Sequence, residues 1–258
     1  MRFYRPKLAH AASRPSQDRL VSKLGGQPWG FAKARWPVCP DCGYPMSFVA
    51  QLEHEPPMVD LGQEGVLHLF YCANLLCMSF GVGGCEALIL KREEIGGGLT
   101  EQPLDPDGDQ IVNGEVWIVG WEAHDDAVSS EQVPSFYDDT DFMGLPDEIA
   151  QPFDFDPHWS TKAAGVPYWG GNGVTFDPAH IPCPPFEFLL QIHEYVYLAE
   201  PPPAEALDDP EARVYEETDL DGATSYNVDF VNFGSDGTGY VFIDRSQNPP
   251  LARWCWSR

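Results

Sequence analysis

The stretch PMSFVAQLEH (residues 45–54) decides the fold, because the chain repeats it 140 residues later as PFEFLLQIHE (residues 185–194). At that offset Pro45, Phe48 and Gln51 meet Pro185, Phe188 and Gln191. Upstream, KLGGQPWG (23–30) falls over AAGVPYWG (163–170), matching Gly25 with Gly165, Trp29 with Trp169 and Gly30 with Gly170. Two blocks agreeing at one offset, with equal spacing between them, point to an internal duplication. Downstream, GVLHLFYC (65–72) is echoed by GTGYVFID (237–244) at an offset of 172, so the second copy carries an insertion. The reading is one domain over 1–258, with repeat 1 at about 21–95, an acidic connection at about 125–160 and repeat 2 at about 163–258.

The repeated blocks are short, rich in Val, Phe and Tyr, and partly alternating, as half-buried strands are. The same holds for EALILK (86–91), EVWIVGWEA (115–123) and SYNVDFVNFG (225–234). Twenty-five prolines and twenty-four glycines punctuate them, more than long helices tolerate. The expected class is therefore mainly β, α+β at most, in two related β-rich halves. One helix is expected over 16–24, between Pro15 and Gly25, and a second near Asp209 and Pro210. Residues 125–157 read as a long connection pinned by its aromatics.

Charge narrows the partners. The formal net charge is -25 over 258 residues, yet residues 1–35 hold eight of the fifteen Lys and Arg and a single acid, Asp18. So acidic a body repels nucleic acid and anionic membrane and steers basic partners toward itself. No run approaches the length of a membrane helix and no signal core precedes the basic arm, so a cytoplasmic location is expected. Seven cysteines, an odd number, argue against a disulfide framework.

Immediately before the repeated strand lies CPDCG (39–43), and just after the next strand lies CANLLC (72–77). Cys39-x2-Cys42 and Cys72-x4-Cys77 are two close pairs that strand pairing brings together, which suits a tetrahedral thiolate site, and Zn²⁺ is the expected structural ion of a knuckle in the first half. A redox pair should open a helix, whereas Pro45 and a strand follow here. Iron–sulfur ligation remains an alternative with an unfamiliar spacing, and Cys85 is an alternative fourth ligand. At offset 140 Cys39 and Cys42 fall on Ala179 and Pro182, so the second copy has no equivalent pair.

SKLGGQPWG, CPDCGYPMSFVAQL and LHLFYCANLLC resemble, in order, the eukaryotic programmed-cell-death-protein-two family, and the whole chain is similar to the related bacterial YwqG-like family of unknown function. The resemblance implies an internally duplicated β fold, zinc at Cys39, Cys42, Cys72 and Cys77, and protein binding without catalysis. It further implies a basic protein partner, such as a ribosomal protein or a toxin neutralised by an immunity protein. Ala73 and Leu75 depart from the prolines usual at the second knuckle.

An enzyme reading finds little to stand on. No phosphate-binding, nucleophile-elbow or dinucleotide motif occurs. Asp105, Asp107 and Asp109 lack the glycine and acid positions of a calcium loop. His68 and His193 lie on what read as related strands of the two copies and are the candidates for a shared groove, the basis of an alternative function as a hydrolase or transferase.

Overall fold

The computed structural model describes residues 1–72, 74, 77, 84–103, 112–134, 136, 160–169, 184–233 and 237–257. The chain is mainly β. Ten strands form one antiparallel sheet: β1 (Arg2–His10), β2 (Lys23–Gly25), β3 (Ser47–Glu53), β4 (Gly65–Tyr71), β5 (Cys85–Lys91), β6 (Glu115–Asp125), β7 (Lys162–Ala163), β8 (Glu187–His193), β12 (Thr238–Asp244) and β13 (Leu251–Ser257). Their spatial order is β13-β12-β8-β7-β1-β6-β2-β3-β4-β5. A small sheet of β9 (Tyr195–Tyr197), β10 (Val214–Thr218) and β11 (Thr224–Asp229) lies over it, and among the described residues a short α-helix, α1 (Ala204–Asp208), falls between β9 and β10 along the chain.

The order is palindromic about the β1–β6 pair. On one side run β6-β2-β3-β4-β5 and on the other β1-β7-β8-β12-β13. The two sides share their register. Gln51 stands opposite His68 and Gln191 opposite Tyr240; Phe48 faces Phe70 and Phe188 faces Phe242; both ladders slip at the same step, next to Val49 and Leu189. β4 therefore maps onto β12 at the offset of 172. In the first block the structure moves the correspondence by one residue. Lys23 pairs with Gln51 as Lys162 pairs with Gln191, so Lys23 answers to Lys162 and Trp29 to Tyr168, where the identities had placed Trp29 over Trp169.

The duplicated glutamines explain why these residues recur. Gln51 Nε2 donates to Val21 O (2.7 Å) and its Oε1 accepts from Trp29 N (2.7 Å). Gln191 Nε2 donates to Ser160 O (2.8 Å) and its Oε1 accepts from Tyr168 N (2.9 Å). Ser22 Oγ accepts from Glu53 N (2.9 Å), and Thr161 Oγ1 accepts from His193 N (3.1 Å). Each glutamine thus satisfies one backbone group before and one after β2 or β7, and the Ser22 and Thr161 hydroxyls satisfy an N–H of β3 and of β8, groups that are costly to leave unpaired.

The same bonds displace the helix expected over 16–24. Those residues run without helix into β2, because Val21, Ser22, Lys23 and Leu24 all bond to β3. A nine-residue helix is weak by propensity alone, and tertiary partners override it. The second expected helix sits earlier, as α1, and Asp209 closes it. The long run 186–198 is two strands broken at Glu194, whose carboxylate accepts from Phe233 N and Gly237 N. The basic arm is ordered as β1, paired along its length with β6.

The ends of the large sheet meet. On β13, Trp254 Nε1 donates to Phe70 O and Glu86 O, both at 3.0 Å, and Trp254 and Trp256 pack edge-on against Tyr71. β13 and β5 thereby close the sheet almost into a barrel. One face of it packs against Val196, Val214 and Val228 of the small sheet. Against the other face lie two corresponding aromatic clusters, Phe48 and Phe70 with His68 in the first half and Phe188 and Phe242 with Tyr240 in the second. The paired lysines are both buried: Lys23 Nζ donates to Gln17 and Glu115, while Lys162 Nζ sits 3.6 Å from the centre of the Tyr168 ring and donates to Ala164 O and Val166 O. Burial holds both amines below the usual lysine range. No helix among the described residues is long and apolar enough to cross a membrane.

Candidate metal centre

Pairing of β3 with β4 sets Ser47 opposite Tyr71. The loop entering β3 and the loop leaving β4 therefore emerge at one end of the sheet, and each brings two cysteines. In the entering loop Cys39 N donates to Tyr44 O (2.8 Å) and Gly43 N to Cys39 O (2.9 Å), closing a tight knuckle. Gly43 occupies the left-handed region at φ 77°, where a side chain is strained. In the leaving loop Cys72 N donates to Gly84 O and Cys77 N to Asn74 O, each at 2.8 Å.

The four sulfurs of Cys39, Cys42, Cys72 and Cys77 all lie within 4.8 Å of one another. The Cys39–Cys77 separation is 3.7 Å and the Cys42–Cys72 separation 3.6 Å. Four thiolates held tetrahedrally at about 2.3 Å from one ion stand roughly 3.8 Å apart, so the spacing fits a metal. It is far too long for a disulfide bond, and all four are free thiols. Cys85, the alternative fourth ligand, is buried on β5 in the main core and is not in the group.

Below the sulfurs lies an aromatic floor of Phe31, Trp36, Phe48 and Phe70, with Met46 and Leu90. Trp36 Nε1 donates to Met46 O (2.8 Å) and fixes the floor to the loop. Cys39 and Cys72 are buried against it, while Cys42 and Cys77 are partly exposed. Burial raises the Cys42 and Cys72 thiols, Cys72 strongly. Crowded, desolvated thiols ionise together only when a cation is present to hold them. Phe48 stands out in the sequence as a repeated position, while the other floor residues do not, their signal being the apolar residues on both sides of the knuckle.

At the corresponding end of β12 in the second half, hydrogen bonds hold the turn. Asp244 stands at the place of Cys72, and its carboxylate accepts from Ser246 N (2.9 Å), Ser246 Oγ (2.6 Å) and Gln247 Nε2 (3.0 Å). These bonds hold the carboxyl below its usual range and tie a short turn between β12 and β13. The counterparts of Cys39 and Cys42, like Cys183 and the Asp105–Asp109 loop, lie outside the described residues.

The groove alternative gains no catalytic constellation among the described residues. His68 and His193 are not counterparts, since Tyr240 occupies the place of His68 and Glu53 that of His193. His68 is fully buried beside Phe31, ring centres 4.9 Å apart, and burial pushes its pKa down to about 3. His193 Nδ1 accepts from Tyr195 N (3.1 Å). A cavity of about 510 Å³ is lined by Val133, Pro134, Pro185 and Phe186 with Glu187, Asp244 and Arg245, but Asp244 is engaged in its turn and Arg245 in ion pairs with Glu187 and Asp60. Compared with protein-family models, curated proteins and solved structures, the chain gives no match.

Proposed function

We propose that the chain is a non-enzymatic protein-binding module, stabilised by one structural Zn²⁺, that masks a basic partner protein. The observation that carries the metal is the sulfur geometry: four thiols and no position left for water suit a structural ion, and zinc is the common divalent ion that prefers tetrahedral thiolate. When bound, the ion supplies a cross-link between the two loops and no chemistry of its own. Cys39, Cys42, Cys72 and Cys77 hold it, and the aromatic floor excludes water from its inner side.

The binding role rests on the net charge of -25 and on the resemblance to YwqG-like and programmed-cell-death-protein-two chains. An acidic shell attracts a basic chain over a distance set by ionic strength, giving a fast on-rate that salt weakens. The partner is accordingly a basic protein, a ribosomal protein or a toxin being the two kinds consistent with it. Purification from the native host at low and at moderate salt tests the reading. A basic protein that copurifies at low salt and leaves as salt rises is expected; recovery of only neutral or acidic proteins under both conditions contradicts it.

A further inference from the structure

The small sheet ends in an open strand. β10 pairs with β11 from Val214↔Val228 to Thr218↔Thr224. The flanking bonds, Asp229 N to Arg213 O (3.1 Å) and Asp219 N to Ala223 O (3.0 Å), set the alternation. Residues 213, 215, 217 and 219 bond toward β11, so the N–H and C=O groups of Val214, Glu216 and Thr218 point away from the sheet. α1 lies against the start of β10; Glu216, Glu217 and Thr218 beyond it are exposed, and among the described residues no strand takes the outer edge.

The strand's surroundings select what fits there. Residues 214–229 carry Glu216, Glu217, Asp219, Asp221 and Asp229 and neither Lys nor Arg, and the adjacent Arg213 pairs with Asp229 (3.0 Å), which leaves four acids toward the hairpin tip. In one register row Tyr215 and Tyr197, 48% and 43% exposed, flank Asn227 on the outer face, while Val214, Val228 and Val196 point to the core. Leu220, at the hairpin tip, is wholly exposed. Acids alone would be the ordinary protection of an edge against self-pairing. Tyr215 on the edge strand and Leu220 at its tip add exposed apolar contact area, and tyrosine faces take cations. A second copy of this chain would set acid against acid across the new ladder. A segment bearing Lys or Arg at alternate positions would set cations over Tyr215 and Glu217.

We propose that the outer edge of β10 receives an extended, basic segment of the partner as a fourth strand of the small sheet; this rests on the basic-partner reading and assigns it a place. The backbone ladder supplies the hold, and alternate side chains supply selectivity.

The test uses the full-length, metal-loaded chain and a synthetic peptide of alternating Lys and Val, with a peptide of alternating Glu and Val as control. Amide hydrogen exchange is followed residue by residue. The Lys-Val peptide is expected to slow exchange at Glu216 and Thr218 at least tenfold, with the Glu-Val peptide inert. Glu216→Pro, which removes an outward N–H, is expected to abolish the effect, and Glu216→Lys with Glu217→Lys to weaken peptide affinity tenfold or more while exchange in β12 stays as in the wild type. Protection at another surface overturns this inference and leaves the basic-partner reading standing. If the peptide gives no protection and the charge-reversed variant still recovers a basic protein from the host, the edge is wrong and the reading survives. Loss of both peptide binding and host partner in the wild-type chain ends both.

Discussion

At the residue scale, the centre and the core obey the same rule: a polar group leaves water only when something in the fold answers it. The four thiols lie within 4.8 Å of one another, a spacing that suits one shared ion. His68 is one exception, a histidine in an aromatic cluster where its counterpart Tyr240 reaches Tyr168 O (3.0 Å). With a folded pKa of about 3, His68 stays neutral in the native state while the unfolded chain takes up a proton below about 6.5. The unfolded state then binds more protons, so this residue costs stability progressively as pH falls from 6.5 toward 3, by up to about 1.4 kcal/mol per pH unit. Urea unfolding of the wild type and His68→Phe at pH 7.5, 6, 5 and 4 measures it. The stability difference should shift in favour of His68→Phe at each step below 6.5, and parallel curves would contradict the burial argument.

Among the elements, the paired struts are the unit that was duplicated. Gln51 and Gln191 each satisfy one backbone donor and one backbone acceptor in corresponding loops. Replacing either with Leu leaves two backbone groups unpaired, part-buried beside Gln51 and buried beside Gln191, at about 2–4 kcal/mol in total. Gln51→Leu and Gln191→Leu should therefore lower stability by similar amounts in chemical denaturation, and a loss below about 0.5 kcal/mol in either would show that the strut is idle. The strands themselves were legible, because 47–53, 65–71 and 238–244 are strand-length runs rich in apolar residues and buried on both faces, and the half-buried 85–91 is a fourth such run. β1 read as a charged arm, since its arginines and lysine lie partly exposed beside β6. The failed helix at 16–24 marks where partners on β3 decide the backbone and local pattern does not.

For the whole molecule, the duplication was legible from identities alone, but its true register needed hydrogen bonds. Equal numbers of residues do not guarantee equal positions, and the glycine and tryptophan matches drew the first block one residue out of place. Closure by Trp254 could not be read at all, because it depends on where the first and last strands of a ten-stranded sheet meet. The thiol cluster was legible from spacing, since strand pairing converts two distant pairs into neighbours. What replaces it in the second half, the Asp244 turn, had no sequence signal beyond an aspartate before a Ser. With the proposed zinc, one half is pinned by an ion where hydrogen bonds at Asp244 pin the other. Elemental analysis of protein purified without chelator, beside Cys39→Ser and Cys72→Ser, tests this most directly. About one zinc per wild-type chain is expected, with metal lost and stability reduced by about 2–5 kcal/mol in either variant. Metal-free wild-type protein whose stability neither variant alters would contradict it.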